Sequence, residues 1–323
     1  MLKQLVVLGL VFWTWGSLAW VQGQEVRQYA PVPEATRGPA IPEKGYLVEP
    51  FGDGAYWVTE GSYTSILLVS DEGVIVVDAS RNLGPNLLKA IREVTDQPVR
   101  YFIYSHHHAD HTAGSGLLGP GVTRIAQEEA ARELRRSNDP NRPLPDITFA
   151  DSYTVELGGQ RVELAYHGPN HSPGNIFIYL PRQKVLMAVD MFYPGWVPFQ
   201  DFGVAVDIRG FFDAFDHALA YDFEHFVGGH LDRPGTRQEV ELVREYVWDV
   251  RKNAADAIKT TDFMAVAGKV GFDNRFALFR EYFDAVARNC TTVTLDKWVG
   301  RIGGADIFAA SHCWTMQLSL QID

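Results

Sequence analysis

Ser105-His106-His107-His108-Ala109-Asp110-His111, directly after the apolar run Tyr101-Phe102-Ile103-Tyr104, is the stretch on which the reading of the chain turns. Four imidazoles and one carboxylate fall between His106 and His111. An ordinary surface loop has no use for so many titratable groups, whereas neutral imidazole and carboxylate are the usual nitrogen and oxygen ligands of Zn²⁺. The run before them is rich in aromatic and β-branched residues and reads as a buried strand that ends where the histidines begin. A rigid strand that delivers side chains into a loop at its C-terminal end is a common way to build a site in an α/β protein. Taken alone, the stretch also admits a His-rich loop that binds metal only adventitiously, so the rest of the chain has to decide.

The apolar fraction of 46% and charged fraction of 21% are those of a soluble globular protein. The length of 323 residues suits one large domain or two modest ones. A net charge of −11 argues against a nucleic-acid partner, because phosphate neutralisation needs a basic face. Residues 1–23 differ in character from the rest of the chain: Lys3 precedes an apolar run from Leu5 to Trp15, broken only by Gly9 and Thr14, and Val21-Gln22-Gly23 stands where a signal peptidase cuts. A secretory signal peptide is expected there, and with it a periplasmic or secreted location. The run is short for a membrane span, with an uncleaved anchor as the alternative. Cys290 and Cys313 are the two cysteines. In an oxidising compartment they can pair and pin the last segment; otherwise they are two small buried thiols.

Residues 24–44 carry Pro31, Pro33, Pro39 and Pro42 and read as an extended lead-in that packs weakly. Short β-rich runs come next at Tyr56 to Thr59, Ser65 to Val69 and Val74 to Asp78, separated by Gly-containing turns. Leu83 to Val94 has helical spacing, with Leu87, Leu88, Ile91 and Val94 on one stripe. After the histidines come an Ala- and Glu-rich helix from Gln127 to Arg136, then a hairpin turning at Gly158-Gly159, then a second strand pair around Pro181-Arg182-Gln183. Phe211 to Leu219 reads as a helix and His225 to Gly229 as a strand end. Helical spacing then runs over Glu239 to Ile258 and Phe276 to Arg288. This order predicts an α+β layered domain over residues 45–258 and a mainly helical extension over 259–323, which roofs a pocket or forms a homodimer contact.

Three further ligand-type residues stand where strands end or in Gly/Pro-rich turns: His171 in Asn170-His171-Ser172-Pro173-Gly174, Asp190 after Met187-Ala188-Val189, and His230 after Val227-Gly228-Gly229. The pattern His106-x-His108-x-Asp110-His111, then His171, Asp190 and His230, resembles the metallo-β-lactamase superfamily. Its full seven-ligand set looks like the branch with glyoxalase II-type thioesterases and quorum-quenching lactonases. The resemblance covers about Tyr46 to Ile258 and is specific, since seven positions recur in order and context.

What the resemblance implies is a four-layer αβ/βα sandwich with two Zn²⁺ ions at one end, iron or manganese being the alternatives. His106, His108 and His171 would hold the first ion, Asp110, His111 and His230 the second, with Asp190 bridging. Metals about 3.5–4 Å apart lower the pKa of a bridging water, so that a hydroxide can attack an acyl carbonyl near neutral pH. Asp110 would orient that nucleophile and pass a proton to the leaving group. Tyr193, three residues after Asp190, stands where some lactonases of this branch resemble it in having a tyrosine beside the substrate carbonyl; it donates to a developing oxyanion or merely lines the pocket. Phe192, Trp196, Phe199 and Phe202 would give the mouth an aromatic character suited to a small acyl substrate with an apolar part. Asp78 is either an acceptor behind a ligand imidazole or a strand-end turn former. His107 should point away from the ligands, His167 should make a strand-end hydrogen bond, and His217, His225 and His312 should be structural.

A secreted dinuclear zinc hydrolase opening a lactone or ester is therefore the leading expectation. The alternatives are a β-lactam hydrolase, disfavoured by Asp190 where cysteine-ligand lactamases differ, a thioesterase, whose basic glutathione-holding pattern the C-terminal region does not match, and an iron-dependent sulfur dioxygenase-like oxidoreductase.

Overall fold

The strands form two sheets, described here from a computed structural model covering residues 28–322; the expected leader at residues 1–23 lies outside the described residues. The first sheet takes β1 (Leu47–Gly52), β2 (Ala55–Thr59), β3 (Thr64–Val69), β4 (Val74–Val77), β5 (Val99–Ile103), β6 (Thr123–Gln127) and β7 (Ile147–Phe149) in sequence order. It is antiparallel as far as β4 and parallel from there. The second sheet contains β8 (Ser152–Leu157), β9 (Gln160–Ala165), β10 (Phe177–Leu180), β11 (Val185–Met187) and β12 (His225–Val227), with β12 beside β11 and parallel to it.

Unbroken apolar runs such as Ile66-Leu67-Leu68 need both faces covered, and successive side chains take opposite faces. Ile66, Leu68, Ile75, Val77 and Ile103 meet Val162, Leu164, Ile178 and Met187 of the second sheet. Leu67, Val76 and Phe102 point outward to α1 (Pro85–Val94) and α3 (Glu128–Ser137), meeting Leu87, Ile91, Ala130 and Leu134. A single turn, α2 (Ala109–Thr112), comes after the histidine loop. Beyond the second sheet lie α4 (Gln200–Val204), a turn with left-handed residues, and α5 (Ile208–Ala220) and α6 (Arg237–Thr260). The outer layer ends with α7 (Phe263–Val270), α8 (Arg275–Trp298) and α9 (Ala305–Ile322). Phe177 and Leu186 of the sheet pack there with Phe211, Phe215, Val243, Val247, Cys290 and Met316. The result is the expected αβ/βα sandwich with helices after it.

Helix starts obey their local chemistry. Thr236 and Glu239 form a capping box at α6, and the Asp207 side chain accepts from Gly210 N at the start of α5. Two strands escape the periodicity. β6 carries Arg124 near its start, buried because its guanidinium donates to the carbonyls of Val122 and Gly119, so the run never reads as apolar. β7 is three residues long. The lead-in also differs from expectation, because it is tied down: Thr36 is buried, Ala35 O accepts from Arg233, and Ala30 N donates to Asp306 of α9. Helix α8 extends beyond Arg288 to Trp298 because Cys290, Thr294 and Trp298 continue its buried face.

Cys290 and Cys313 form a disulfide that joins α8 to α9 across a sequence separation of 23. Closing a loop of that size restricts the unfolded chain by about 3 kcal/mol. The C290A/C313A double variant should therefore unfold at lower urea concentration than the oxidised protein, by about that free energy. An unchanged midpoint in chemical denaturation would show that the bridge contributes nothing.

Candidate metal centre

Parallel pairing brings the ligand-type residues to one edge. Asp78 stands just past the C-terminal end of β4, and His106 beyond that of its parallel neighbour β5; Asp190 lies beyond β11 and His230 beyond its parallel neighbour β12. α2 then carries Asp110 and His111 around one turn, with His108 at its N-cap position. Asp190 and Asp78 both adopt left-handed backbone, φ 62° and 57°. That conformation is costly for most side chains and least so for Asp, Asn and Gly.

The donor atoms converge in two groups that share Asp190. His106, His108, His171 and Asp190 form one, and Asp110, His111, Asp190 and His230 the other, with the chosen ligand atoms of each group within 4.8 Å of one another. Asp190 Oδ2 lies 3.1 Å from His111 Nε2, 3.3 Å from His171 Nε2 and 3.7 Å from His106 Nε2, while Oδ1 lies 3.1 Å from His230 Nε2. Asp110 Oδ2 stands 3.6 and 3.7 Å from His111 and His230 Nε2. All seven residues predicted from sequence are thus brought together.

Their orientation is set from behind. Asp78 accepts from Ser105 N at 3.0 Å and from Ser105 Oγ at 2.7 Å, and Ser105 Oγ lies 2.9 Å from His106 Nδ1. With the hydroxyl hydrogen committed to Asp78, Ser105 accepts from His106 Nδ1–H, and the Nε2 lone pair faces the pocket. Asp78 is therefore both turn residue and indirect acceptor. His171 Nδ1 donates to Gly203 O at 2.6 Å, which likewise turns its Nε2 inward. His108 differs in presenting Nδ1, 2.9 Å from His171 Nε2. His106 Nε2 is buried without a hydrogen-bond partner, and His111 and His230 oppose Nε2 to Nε2 at 3.1 Å. Two inward-facing lone-pair sets, with one orphaned nitrogen, fit a cation in each group.

Electrostatics agree. Burial, then the neighbouring imidazoles, hold His106 well below its ordinary pKa, and the same causes bring His108 to about 4. Burial also lowers His171. These three are neutral at pH 7, the form that coordinates. Burial would depress His111 too, but the Asp190 carboxylate outweighs it, with Asp78 and Asp110 assisting, and raises it to about 9.

The family model of the Metallo-beta-lactamase superfamily matches residues 58–230, from β2 to His230. The chain belongs to this superfamily. It is 27% identical over 227 residues to the 2,4-dinitroanisole O-demethylase subunit alpha of Nocardioides sp. (strain JS1661), covering 67% of each chain. It is 26% identical over 123 residues to the Metallo-beta-lactamase type 2 of Bacillus cereus, covering 38% of this chain and 47% of that one. The match thus spans less than half of the lactamase's length. A solved metallo-beta-lactamase from Pontibacter korlensis superposes with a TM-score of 0.55 at 21% identity, over 62% of this chain and 97% of that one, a likeness of fold.

In this superfamily member His108, Asp110, His171, Asp190 and His230 of the cluster floor a cavity of about 400 Å³, with His106 and His111 buried beneath it. Tyr63, Tyr193, Trp196, Val197, Phe199, Val204, Leu231 and Phe308 form its walls, and among the described residues that line it none is Lys or Arg. Trp196 and Phe199 stand where expected. Phe192 and Phe202 do not: Phe192 packs on Phe215 and Phe226, and Phe202 on Phe211 and His312, both inside the core. Sequence reasoning missed Tyr63, Leu231 and Phe308. Tyr63 had a signal, being an aromatic residue at a Gly-Ser turn, whereas nothing local marks Phe308 in α9. Tyr193 is buried at the cavity, its hydroxyl 3.4 Å from Asp190 O, and burial together with Asp190 and Asp110 keeps its phenol protonated. The other histidines lie outside both donor groups: His167 stacks on His217 at 4.2 Å and reaches Tyr221 OH, His225 packs on Phe51, and His107 contributes no donor.

A proton count tests His111. In metal-free protein it is charged below a pKa of about 9, and coordination must displace that proton. Zn²⁺ titration of chelator-treated protein at pH 7 in weak buffer should release at least one proton, and apparent affinity should climb with pH up to about 9. Uptake of zinc without proton release would remove His111 from the ligand set.

Proposed function

We propose that the chain is a dinuclear zinc hydrolase that opens uncharged lactones or esters bearing an apolar part. The observation that carries this reading is the cavity itself, floored by five of the seven converging donors, His108, Asp110, His171, Asp190 and His230, with largely apolar walls and no Lys or Arg among the described lining residues. Divalent cations held by His106, His108 and His171 and by Asp110, His111 and His230, with Asp190 shared, would supply polarisation of an acyl oxygen and a water acidic enough to give hydroxide near neutral pH. Asp110 stands among the donors with a side chain 43% exposed at the cavity, within reach of a nucleophile bound there. It takes the nucleophile's proton as the acyl carbon gains oxygen, and returns it to the alkoxide as the C–O bond breaks. Tyr193 supplies a protonated phenol, a donor for the oxyanion. Trp196, Phe199 and Phe308 exclude water around the apolar part of the substrate.

A substrate carboxylate would find no Lys or Arg in the lining, which weighs against β-lactams. A second reading is hydrolysis of an activated aryl ether. The aromatic walls favour it, and so does the likeness to a 2,4-dinitroanisole O-demethylase subunit. The paired Cys290 and Cys313 support a periplasmic or secreted location.

The deciding comparison is kcat/KM of the zinc-loaded protein on a long-chain acyl-homoserine lactone, a chromogenic cephalosporin and 2,4-dinitroanisole. A preference for the lactone of about a hundredfold is expected, from differential binding of the apolar part and loss of any carboxylate contact. Preference for the cephalosporin would overturn the reading, and turnover of the ether alone would replace it with the second. Tyr193→Phe should lower kcat on the lactone by about 10–100-fold with little change in KM, the signature of a contact made in the transition state.

A further inference from the structure

Helix α9 grips the wall of the site at one place. Asp201, Phe202, Gly203 and Val204 are consecutive left-handed residues, φ 53°, 57°, 72° and 50°, a costly backbone for the three that are not glycine. Such a turn persists only where its surroundings hold it. Here the holding groups come from α9. Ser311 Oγ accepts from Asp201 N at 3.1 Å, Thr315 Oγ1 donates to Asp201 Oδ1 at 2.8 Å, and the His312 ring stacks on Phe202 at 4.6 Å.

His312 is the centre of the grip. It is fully buried, and its two nitrogens have fixed roles: Nε2 lies 3.0 Å from Phe199 O, which can only accept, so Nδ1 accepts from Tyr246 OH at 2.7 Å. Phe199 O also accepts from Gly203 N at 2.8 Å. The same glycine turns its carbonyl to His171 Nδ1 at 2.6 Å. It also packs so closely on the Asp190 carbonyl that a Cβ would stand 2.7 Å from it. A continuous set of contacts therefore runs from Tyr246 in α6 through His312 to the acceptor that orients His171.

We propose that α9 is a positioning clamp for the first donor group. His312 keeps the left-handed turn wound, and the wound turn keeps Gly203 O aimed at His171. This rests on the reading of His171 as a metal donor. His312 touches neither the donors nor the cavity, so it is a positioning residue. Its loss should weaken one of two bound ions, the one held with His106 and His108, and leave the ion at Asp110, His111 and His230 in place.

The test measures Zn²⁺ affinities by chelator competition on the full chain and its variants, with melting temperatures and the visible spectrum of the Co²⁺-loaded forms alongside. His312→Leu should lose tenfold or more in affinity for one ion, keep the other within twofold, and shift the cobalt bands of one site. His312→Gln retains an N–H for Phe199 O and an acceptor for Tyr246, and should recover most of the loss. If His312→Leu does not fold, Thr315→Val decides, with an expected loss of threefold or more at the same single ion. Unchanged affinities in a folded variant, or equal weakening of both ions in step with melting temperature, would overturn the clamp while leaving the two-ion reading intact. Wild-type protein that binds a single ion would overturn the two-ion reading; a tenfold loss of that ion in His312→Leu at unchanged melting temperature would then support the clamp, and an unchanged affinity, or a loss in step with melting temperature, would overturn it. Wild-type protein that binds none would overturn both.

Discussion

A carboxylate on a side chain only 5% exposed, as Asp190 has, stays ionised only if the surrounding groups replace the water it has lost. Burial pushes its pKa up, and the imidazoles of His111, His230 and His171 outweigh burial and hold it well below the usual range. Imidazoles from the β5 loop, the β9–β10 connection and the end of β12 must therefore all reach one oxygen pair at the end of β11. That requirement explains the parallel pairing of β4 with β5 and of β11 with β12, which sets strand ends side by side on one edge. The left-handed backbone at Asp190 and Asp78 turns the chain at two of those strand ends, setting the Asp190 carboxylate among the donors and the Asp78 carboxylate behind His106, on Ser105.

The parts of this arrangement legible from sequence were those encoded locally. His106 to His111 declared itself because the donors are adjacent, and β3 and β4 because strands buried on both faces are apolar without a break. His171, Asp190 and His230 could be placed because each occupies a strand end or a Gly/Pro turn in a familiar order. What escaped depends on contacts between distant segments. β6 hides behind Arg124, whose charge is satisfied by carbonyls that its own sequence does not announce. Phe192 and Phe202 read as pocket aromatics because they flank pocket residues. The left-handed turn at Asp201 to Val204 instead buries the Phe202 side chain on His312 and leaves Val204 at the cavity. The lead-in looked loose because few of its residues are apolar, yet its hold comes from backbone hydrogen bonds to Arg233 and Asp306.

The family match ends at His230, while α6 to α9 lie beyond it. Those helices are nevertheless continuous with the site in physical terms. The hydrophobic cluster beneath α5 and α6 also contains Cys290, Trp298, Cys313 and Met316, so α8 and α9 share one core with the second sheet. Phe308 enters the cavity wall from this layer, its ring 5.0 Å from that of Phe199.

Donors and walls are therefore carried by different kinds of element, and this separation bears on how the site can be selective. Strand ends fix His106, Asp190 and His230 to a rigid frame, since a sheet edge leaves little freedom in direction, and the short turn α2 carries Asp110 and His111 directly after one of them. The walls come from Tyr63 between β2 and β3, from Tyr193, Trp196, Val197 and Phe199 in the loop after Asp190, from Val204 of the turn that follows, from Leu231 and from Phe308 of α9, all outside the strands. Substitution at Val204, Leu231 or Phe308 changes the shape offered to a substrate without touching a donor. A change at Gly203 cannot be so confined, because the same residue faces the cavity, abuts the Asp190 carbonyl and accepts from His171. Gly203 is thus the point at which the shape of the pocket and the orientation of its donors become one constraint.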